Sequence, residues 1–136
     1  MGLAAVVAGA VLAACGKTAP TPQDPVSFAS DIKPLFTEKC LPCHNTGTLL
    51  GELNLETRFL AFKKGSKGMF IVPGKPDESR IYHVLVKPRA DDDAMPPEGH
   101  AMSPVDIAKI RDWIQQGADW PEGEEGTLIP PKPGEA

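Results

Sequence analysis

Apolar residues recur at helical spacing in several stretches between two proline-rich ends, which predicts an all-α domain of three or four helices joined by long loops. The first helix is expected from about Asp31 to Cys40, with Ser30 as N-cap and Ile32, Leu35, Phe36 and Lys39 near one face. Pro34 suits the first turn of that helix, where its missing amide is not needed. Leu53 to Lys64 is ambiguous, with Leu55 leading into a short helical pattern through Phe59, Leu60 and Phe62. A third helix is expected to start at Asp77 or Glu78, after Pro73-Gly74-Lys75-Pro76, and to carry Ile81, Tyr82 and Leu85. The last helix has the sharpest borders. Ser103 is its N-cap, Pro104 takes the first helical position and Asp106 complements the positive N-terminal end. Ile107, Ile110, Trp113 and Ile114 then form an apolar stripe, and Gly117 ends the helix.

The N-terminal end follows a different pattern. Gly2 to Ala14 is uncharged and apolar, and the chain turns polar at Gly16-Lys17. Such a run is too short to cross ~30 Å of hydrocarbon and has the length of a signal-peptide core. No Lys or Arg precedes it, so either the start codon is misassigned or the initiator amine alone supplies the positive charge. Leu12-Ala13-Ala14-Cys15 looks like a bacterial lipobox, in which the cysteine carries lipid after cleavage. The expected organisation is therefore a lipoprotein signal peptide over residues 1–14 and a lipidated Cys15 with a Pro-rich tether over 15–26. One folded domain over 27–121 and a disordered tail over 122–136 follow. At ~3.1 Å per residue, residues 16–25 of the tether reach at most ~31 Å, enough to hold a small domain clear of lipid head groups.

Composition sharpens the picture. A folded part of roughly 95 residues buries little surface, and chains of that size usually need a staple. Eight aromatic residues make a thin core, while fifteen prolines and thirteen glycines indicate a loop-rich fold suited to wrapping a rigid cofactor. The formal net charge of −4 and the lack of a basic stripe exclude a nucleic-acid binder of the usual kind.

The staple is legible in Cys40-Leu41-Pro42-Cys43-His44, the pattern of a c-type haem attachment site. Two thiols three positions apart on one turn can each add to a vinyl group of one haem, and the next residue then lies under the iron as proximal ligand. With Cys15 assigned to lipid, no thiol is left for a disulfide. A zinc site fails on ligand count, because no second Cys pair exists and Cys43 and His44 are hard to aim at one ion. A thioredoxin-like dithiol expects a strand before the motif and a helix after it, whereas here a helical pattern precedes and a Gly/Thr loop follows.

Iron needs a sixth ligand or an open face. The candidates are Met69, His83, Met95, His100 and Met102. Met95 leads, because Pro96-Pro97 stiffens its loop and lowers the ordering cost of holding a thioether at the metal. Met102 and Met69 lie in packing contexts, and His83 is expected on a helix surface. A Met/His pair favours ferrous iron and raises the potential. Ile32, Leu35, Phe36, Leu49, Leu50, Leu53, Leu55, Phe59, Ile71, Leu85 and Trp113 are expected to line or support the haem crevice. Arg58 and Lys75 are candidate partners for the propionates, or plain solvated cations. Asp91-Asp92-Asp93 reads as a solvated turn, with a docking patch for a basic partner or a divalent-ion site as its functional alternatives.

With these residues placed, the chain resembles the planctomycete-type cytochrome c domain, a group of monohaem class I c-type cytochromes. The resemblance is carried by Phe28 to Phe36, the haem motif, Gly51 to Leu55, Ile71 to Ser79, Met95 to Gly99 and Trp113 to Pro121, in order over about residues 28–121. It implies a small cytochrome c fold wrapped around one covalent haem, with first and last helices crossing near it and Met95 as distal ligand. The resulting expectation is a non-enzymatic electron carrier with heme c bound through Cys40 and Cys43, and with His44 and Met95 as iron ligands. It would be held by lipid at the periplasmic face of a membrane, exchanging single electrons with redox proteins or with a respiratory or photosynthetic complex. The alternatives are a haem enzyme or gas sensor with an open sixth position, and a fixed electron-transfer subunit of a membrane complex.

Overall fold

Ser27, not Ser30, opens the first helical segment. Its hydroxyl accepts from the Ser30 amide at 3.5 Å, and Asp31 Oδ2 accepts from the Ser27 amide at 3.0 Å. This reciprocal closure starts the helix a turn earlier than the apolar pattern predicts. The chain is seen here in a computed structural model that describes residues 24–97 and 99–132. The predicted signal peptide, Cys15 and most of the tether lie outside the described residues.

A π-helical turn, Phe28–Ile32, runs directly into α1, Lys33–Lys39, with Pro34 in the first turn as expected. The ambiguous stretch resolves into α2, Arg58–Ala61, capped by Thr57, whose hydroxyl accepts from the Leu60 amide at 3.3 Å. Next come two short antiparallel strands, β1 (Lys64–Gly65) and β2 (Gly68–Met69), with Lys64 opposite Met69. A 3-10 turn at Pro76–Glu78 precedes α3, Arg80–Val86, so the third helix starts slightly later than predicted. The domain is thus small and mostly helical, with four α-helices and little sheet among the described residues.

The final helix, α4 (Pro104–Gln115), has the predicted borders. Ser103 Oγ accepts from the Asp106 amide at 3.1 Å, and Pro104 is the first helical residue. At the other end Ala118 N donates to Trp113 O (2.9 Å) and Gly117 N to Ile114 O (3.0 Å), the paired bonds of a Schellman cap. Gly117 sits at φ 112°, which a side chain would resist.

Aromatic packing joins the two ends of the domain. The Phe36 ring meets Trp113 edge-on at 5.7 Å, and Phe28 lies 4.5 Å from Trp120. Around these four rings Ile32, Leu41, Leu55, Ile71, Ile110 and Ile114 are fully buried. Both indole N–H groups are satisfied, Trp113 by Asp119 O at 2.8 Å and Trp120 by Gly126 O at 2.7 Å.

The expected disordered tail needs correction over residues 122–132. Leu128 is buried in the core and its amide donates to Glu56 O at 2.8 Å, while Lys33 Nζ reaches Glu125 O at 2.7 Å. A Cβ at Gly126 would sit 1.7 Å from Pro121 O, so the fold-back over Trp120 requires glycine there. The Pro/Gly/Glu composition that suggests disorder instead builds a tight strap with one apolar anchor.

Candidate functional site

The Cys-x-x-Cys-His segment continues α1 by one turn. Leu41 N donates to Phe36 O (2.8 Å), and His44 N to Cys40 O (3.0 Å). Leu41 is fully buried and pins the turn to the core, while Cys43 is exposed and Cys40 only partly so. The alternation follows from helical phase: a residue one step from a buried anchor faces another direction. Burial pushes the Cys40 thiol up to about 12, with the neighbouring Cys43 acting in the same direction. A thiol so resistant to ionisation is poorly suited to dithiol redox exchange. Among the described residues no group of three or more His, Cys, Asp or Glu side chains is placed to hold a metal ion.

Cys40, Cys43, His44 and Met95 line one cleft of about 970 Å³, solvent at its mouth included. Its walls are mainly apolar and come from Leu50, Leu53, Phe70, Ile81, Val84 and Leu85. Of the five candidate sixth ligands only Met95 lines this cleft. Met102 is buried in the core, Met69 lies on β2, His100 is exposed, and His83 is an exposed residue of α3 whose Nε2 pairs with Asp77 O at 2.6 Å.

His44 is prepared to offer a lone pair. Its Nδ1 lies 2.8 Å from Leu50 O, and a carbonyl only accepts, so the proton resides on Nδ1 and Nε2 is left bare. Burial lowers the His44 pKa against the opposing pull of the Leu50 and Leu53 backbones, so the ring is neutral at physiological pH. The loop that supplies Leu50 is held by main-chain bonds from Leu50 N to Cys43 O (3.2 Å) and from Leu55 N to His44 O (2.9 Å).

A polar network braces this loop from behind. Buried Asn45 donates to Leu41 O at 2.7 Å and accepts from the Gly47 and Thr48 amides. Glu56 accepts from the Thr46 amide at 3.0 Å, from Asn54 Nδ2 at 2.9 Å and from the Thr46 hydroxyl. Burial works against the Glu56 carboxylate, but the hydrogen bonds from Thr46 and Asn54 outweigh it and hold its pKa below the ordinary value. A depressed carboxyl pKa adds stability that is present above the unfolded value of ~4.3 and is lost as pH falls through the folded value. Glu56→Gln is therefore expected to cost about 1 kcal/mol at pH 7, with the difference from the parent shrinking in acid. Thermal unfolding at a series of pH values checks it, and equal midpoints at pH 7 would remove the network from the stability account.

Several expected residues fall elsewhere. Leu50, Leu53 and Leu85 line the cleft, and Ile32, Phe36, Leu55, Ile71 and Trp113 form the core behind it. Leu35 packs at the core edge, whereas Leu49 and Phe59 are exposed, Phe59 under the Lys63 ammonium at 4.7 Å. Arg58 pairs with Glu122 at 3.7 Å and Lys75 with Glu78 at 2.9 Å, and neither lines the cleft. The cations that do line it are Lys39 and Arg80, which the helical pattern alone did not single out as propionate partners. Asp91 and Asp93 are both paired with Lys87, at 3.0 and 3.3 Å, so the acidic run folds on a local cation.

Met95 arrives on the loop after α3. Its amide donates to Val84 O at 2.8 Å, and the Arg89 guanidinium donates to the carbonyls of Met95 (3.1 Å) and Pro96. Pro96 is buried, and no motif pointed to Arg89.

No curated protein and no solved structure matches the chain. Residues 40–99, from the first motif cysteine to just beyond the Met95 loop, match the family model described as Planctomycete cytochrome C, and similarity to a cytochrome c domain implies covalent haem and electron transfer with redox protein partners.

Proposed function

We propose that the protein is a lipid-anchored monohaem cytochrome c that carries single electrons between exported redox partners. The observation that carries this reading is the convergence of Cys40, Cys43, His44 and Met95 on one apolar cleft. Bound haem c supplies a one-electron ferric/ferrous couple. Cys40 and Cys43 would hold the porphyrin through thioethers, and His44 Nε2 and the Met95 thioether would ligate the iron. Leu53, Phe70, Ile81 and Leu85 exclude water, and Lys39 and Arg80 provide positive charge for the propionates. With His44 and Met95 both on the iron, substrate would have no route to the metal, and the protein would act as a carrier and not as an enzyme or gas sensor.

The anchor rests on the Leu12 to Cys15 lipobox alone. No helix among the described residues is long and apolar enough to cross a membrane. The expected location is the periplasmic face, with a mobile redox protein or a respiratory or photosynthetic complex as partner.

The deciding experiment is a visible and near-infrared spectrum of the exported holoprotein, parent against Met95→Ala. The parent is expected to show low-spin, thioether-linked haem with a sulfur–iron charge-transfer band. Met95→Ala is expected to lose that band and to give high-spin iron that binds carbon monoxide. If Met102→Ala does this instead, the distal ligand is misassigned; rapid carbon monoxide binding by the parent would support the gas-sensor alternative.

A further inference from the structure

We propose that Arg89 is a positioning residue that locks the Met95 loop over the cleft and so sets how readily the distal thioether is displaced; this rests on the reading of Met95 as a ligand. Three consecutive peptide planes surround Met95. The first is held by the bond from Met95 N to Val84 O on α3 (2.8 Å). The next two present the carbonyls of Met95 and Pro96, and one guanidinium takes both, Nη1 at 3.1 Å from Met95 O and Nη2 on Pro96 O. A planar fork with donors at fixed spacing can hold two successive carbonyls in one orientation; an ammonium cannot do so with the same rigidity. Proline at 96 and 97 leaves the loop without two of the amides that would otherwise fasten it.

Arg89 is itself fixed near its start point. The segment between α3 and Met95 folds on Lys87, which pairs with Asp91 and Asp93, and on turn bonds from Asp91 N to Pro88 O and Ala94 N to Asp91 O, each 2.9 Å. Arg89 therefore projects from a braced turn onto the carbonyls six and seven residues ahead. Ala94 and Pro96 are buried on either side of Met95, so release of the carbonyls frees the side chain between two anchored neighbours. The expected consequence is local: a loosened ligand in a domain that stays folded.

The test is imidazole titration of the ferric holoprotein, followed by the change in the visible haem absorption, in a cycle of parent, Arg89→Ala, Met95→Ala and the double variant. Imidazole must displace Met95 in the parent but enters a vacated position in Met95→Ala. Two charge-assisted hydrogen bonds on an exposed side chain predict a roughly tenfold gain in apparent imidazole affinity for Arg89→Ala. In the Met95→Ala background the same change is expected to do nothing, and Arg89→Lys is expected to fall between parent and Arg89→Ala. An equal gain in both backgrounds would mean that Arg89 acts on the cleft in general, and an unchanged affinity in the Met95 background would mean that it does not position the ligand; either overturns the proposal. If Arg89→Ala fails to fold, Arg89→Lys and Arg89→Gln carry the same comparison. A Met95→Ala variant with unaltered affinity would instead overturn the ligand assignment, which keeps the two failures distinct.

Discussion

A Cys40→Ala/Cys43→Ala variant, exported and purified like the parent, is expected to emerge with the mass of the bare polypeptide after denaturation, whereas the parent keeps one haem. The chain has three cysteines, and the third, Cys15, precedes the folded domain in sequence. Haem taken up without thioethers rests on axial ligands and cleft contacts alone, and acid or denaturant strips it. The loss extends beyond colour. Leu53, Phe70, Ile81 and Leu85 face the cleft, and without a porphyrin against them that apolar surface is left to water or to collapse. The double variant should therefore melt well below the parent, with a less sharp transition. Single variants are expected to retain a covalent haem through the remaining thiol, at lower yield. Denaturing mass spectrometry reads the attachment and circular dichroism the stability. A double variant that keeps the haem mass would force attachment elsewhere in the chain and sink the assignment of both cysteines.

How far such a site can be read in advance depends on the range of the interactions that build it. The haem motif and α4 are written in adjacent residues: Ser103, Pro104 and Gly117 act within one turn of where they stand. The placement of Met95 at the cleft and of Met102 in the core was also open to local reasoning, because a methionine before a helix cap packs inward and one before two prolines sits on a stiff loop. Long-range closures were not readable. Phe59 carries the right residue type, but α2 has only four residues, too few to fix which face is buried. Composition marked residues 122–136 as a tail, and only the docking of Leu128 on Glu56 and of Trp120 on Gly126 turns residues 122–132 into a strap. Arg80 and Lys39 were missed for the same reason. Two helices distant in sequence must converge before a cation on either acquires a cleft to face. The family match begins at Cys40 and ends at Gly99, so the flanking helices that close the aromatic core are supported by the packing itself.

Trp113→Ala is expected to cost about 3–5 kcal/mol, as truncation of a fully buried tryptophan does elsewhere. The residue is 1% exposed and lies against Phe28, Phe36 and Trp120, so its removal opens a hole shared by the N-terminal helix, α4 and the C-terminal strap. It also leaves Asp119 O without its indole donor, which sits at 2.8 Å in the parent. Small domains hold roughly 5–15 kcal/mol in total, so this one substitution removes a large share. The site should feel it through geometry. Phe36 precedes the haem motif and accepts the amides of both Cys40 and Leu41, and a shifted Phe36 therefore displaces the turn that carries Cys43 and His44. Val105→Ala is the matched control, an α4 change at a position 66% exposed, expected within about 0.5 kcal/mol of the parent. Urea unfolding of the holoproteins, followed by fluorescence and by the haem band, separates the two effects. Loss of the sulfur–iron band at lower urea than global unfolding in Trp113→Ala would show that the aromatic core holds the motif in register. A Trp113→Ala variant as stable as Val105→Ala would mean that the haem, and not this four-ring cluster, holds the two ends of the domain together.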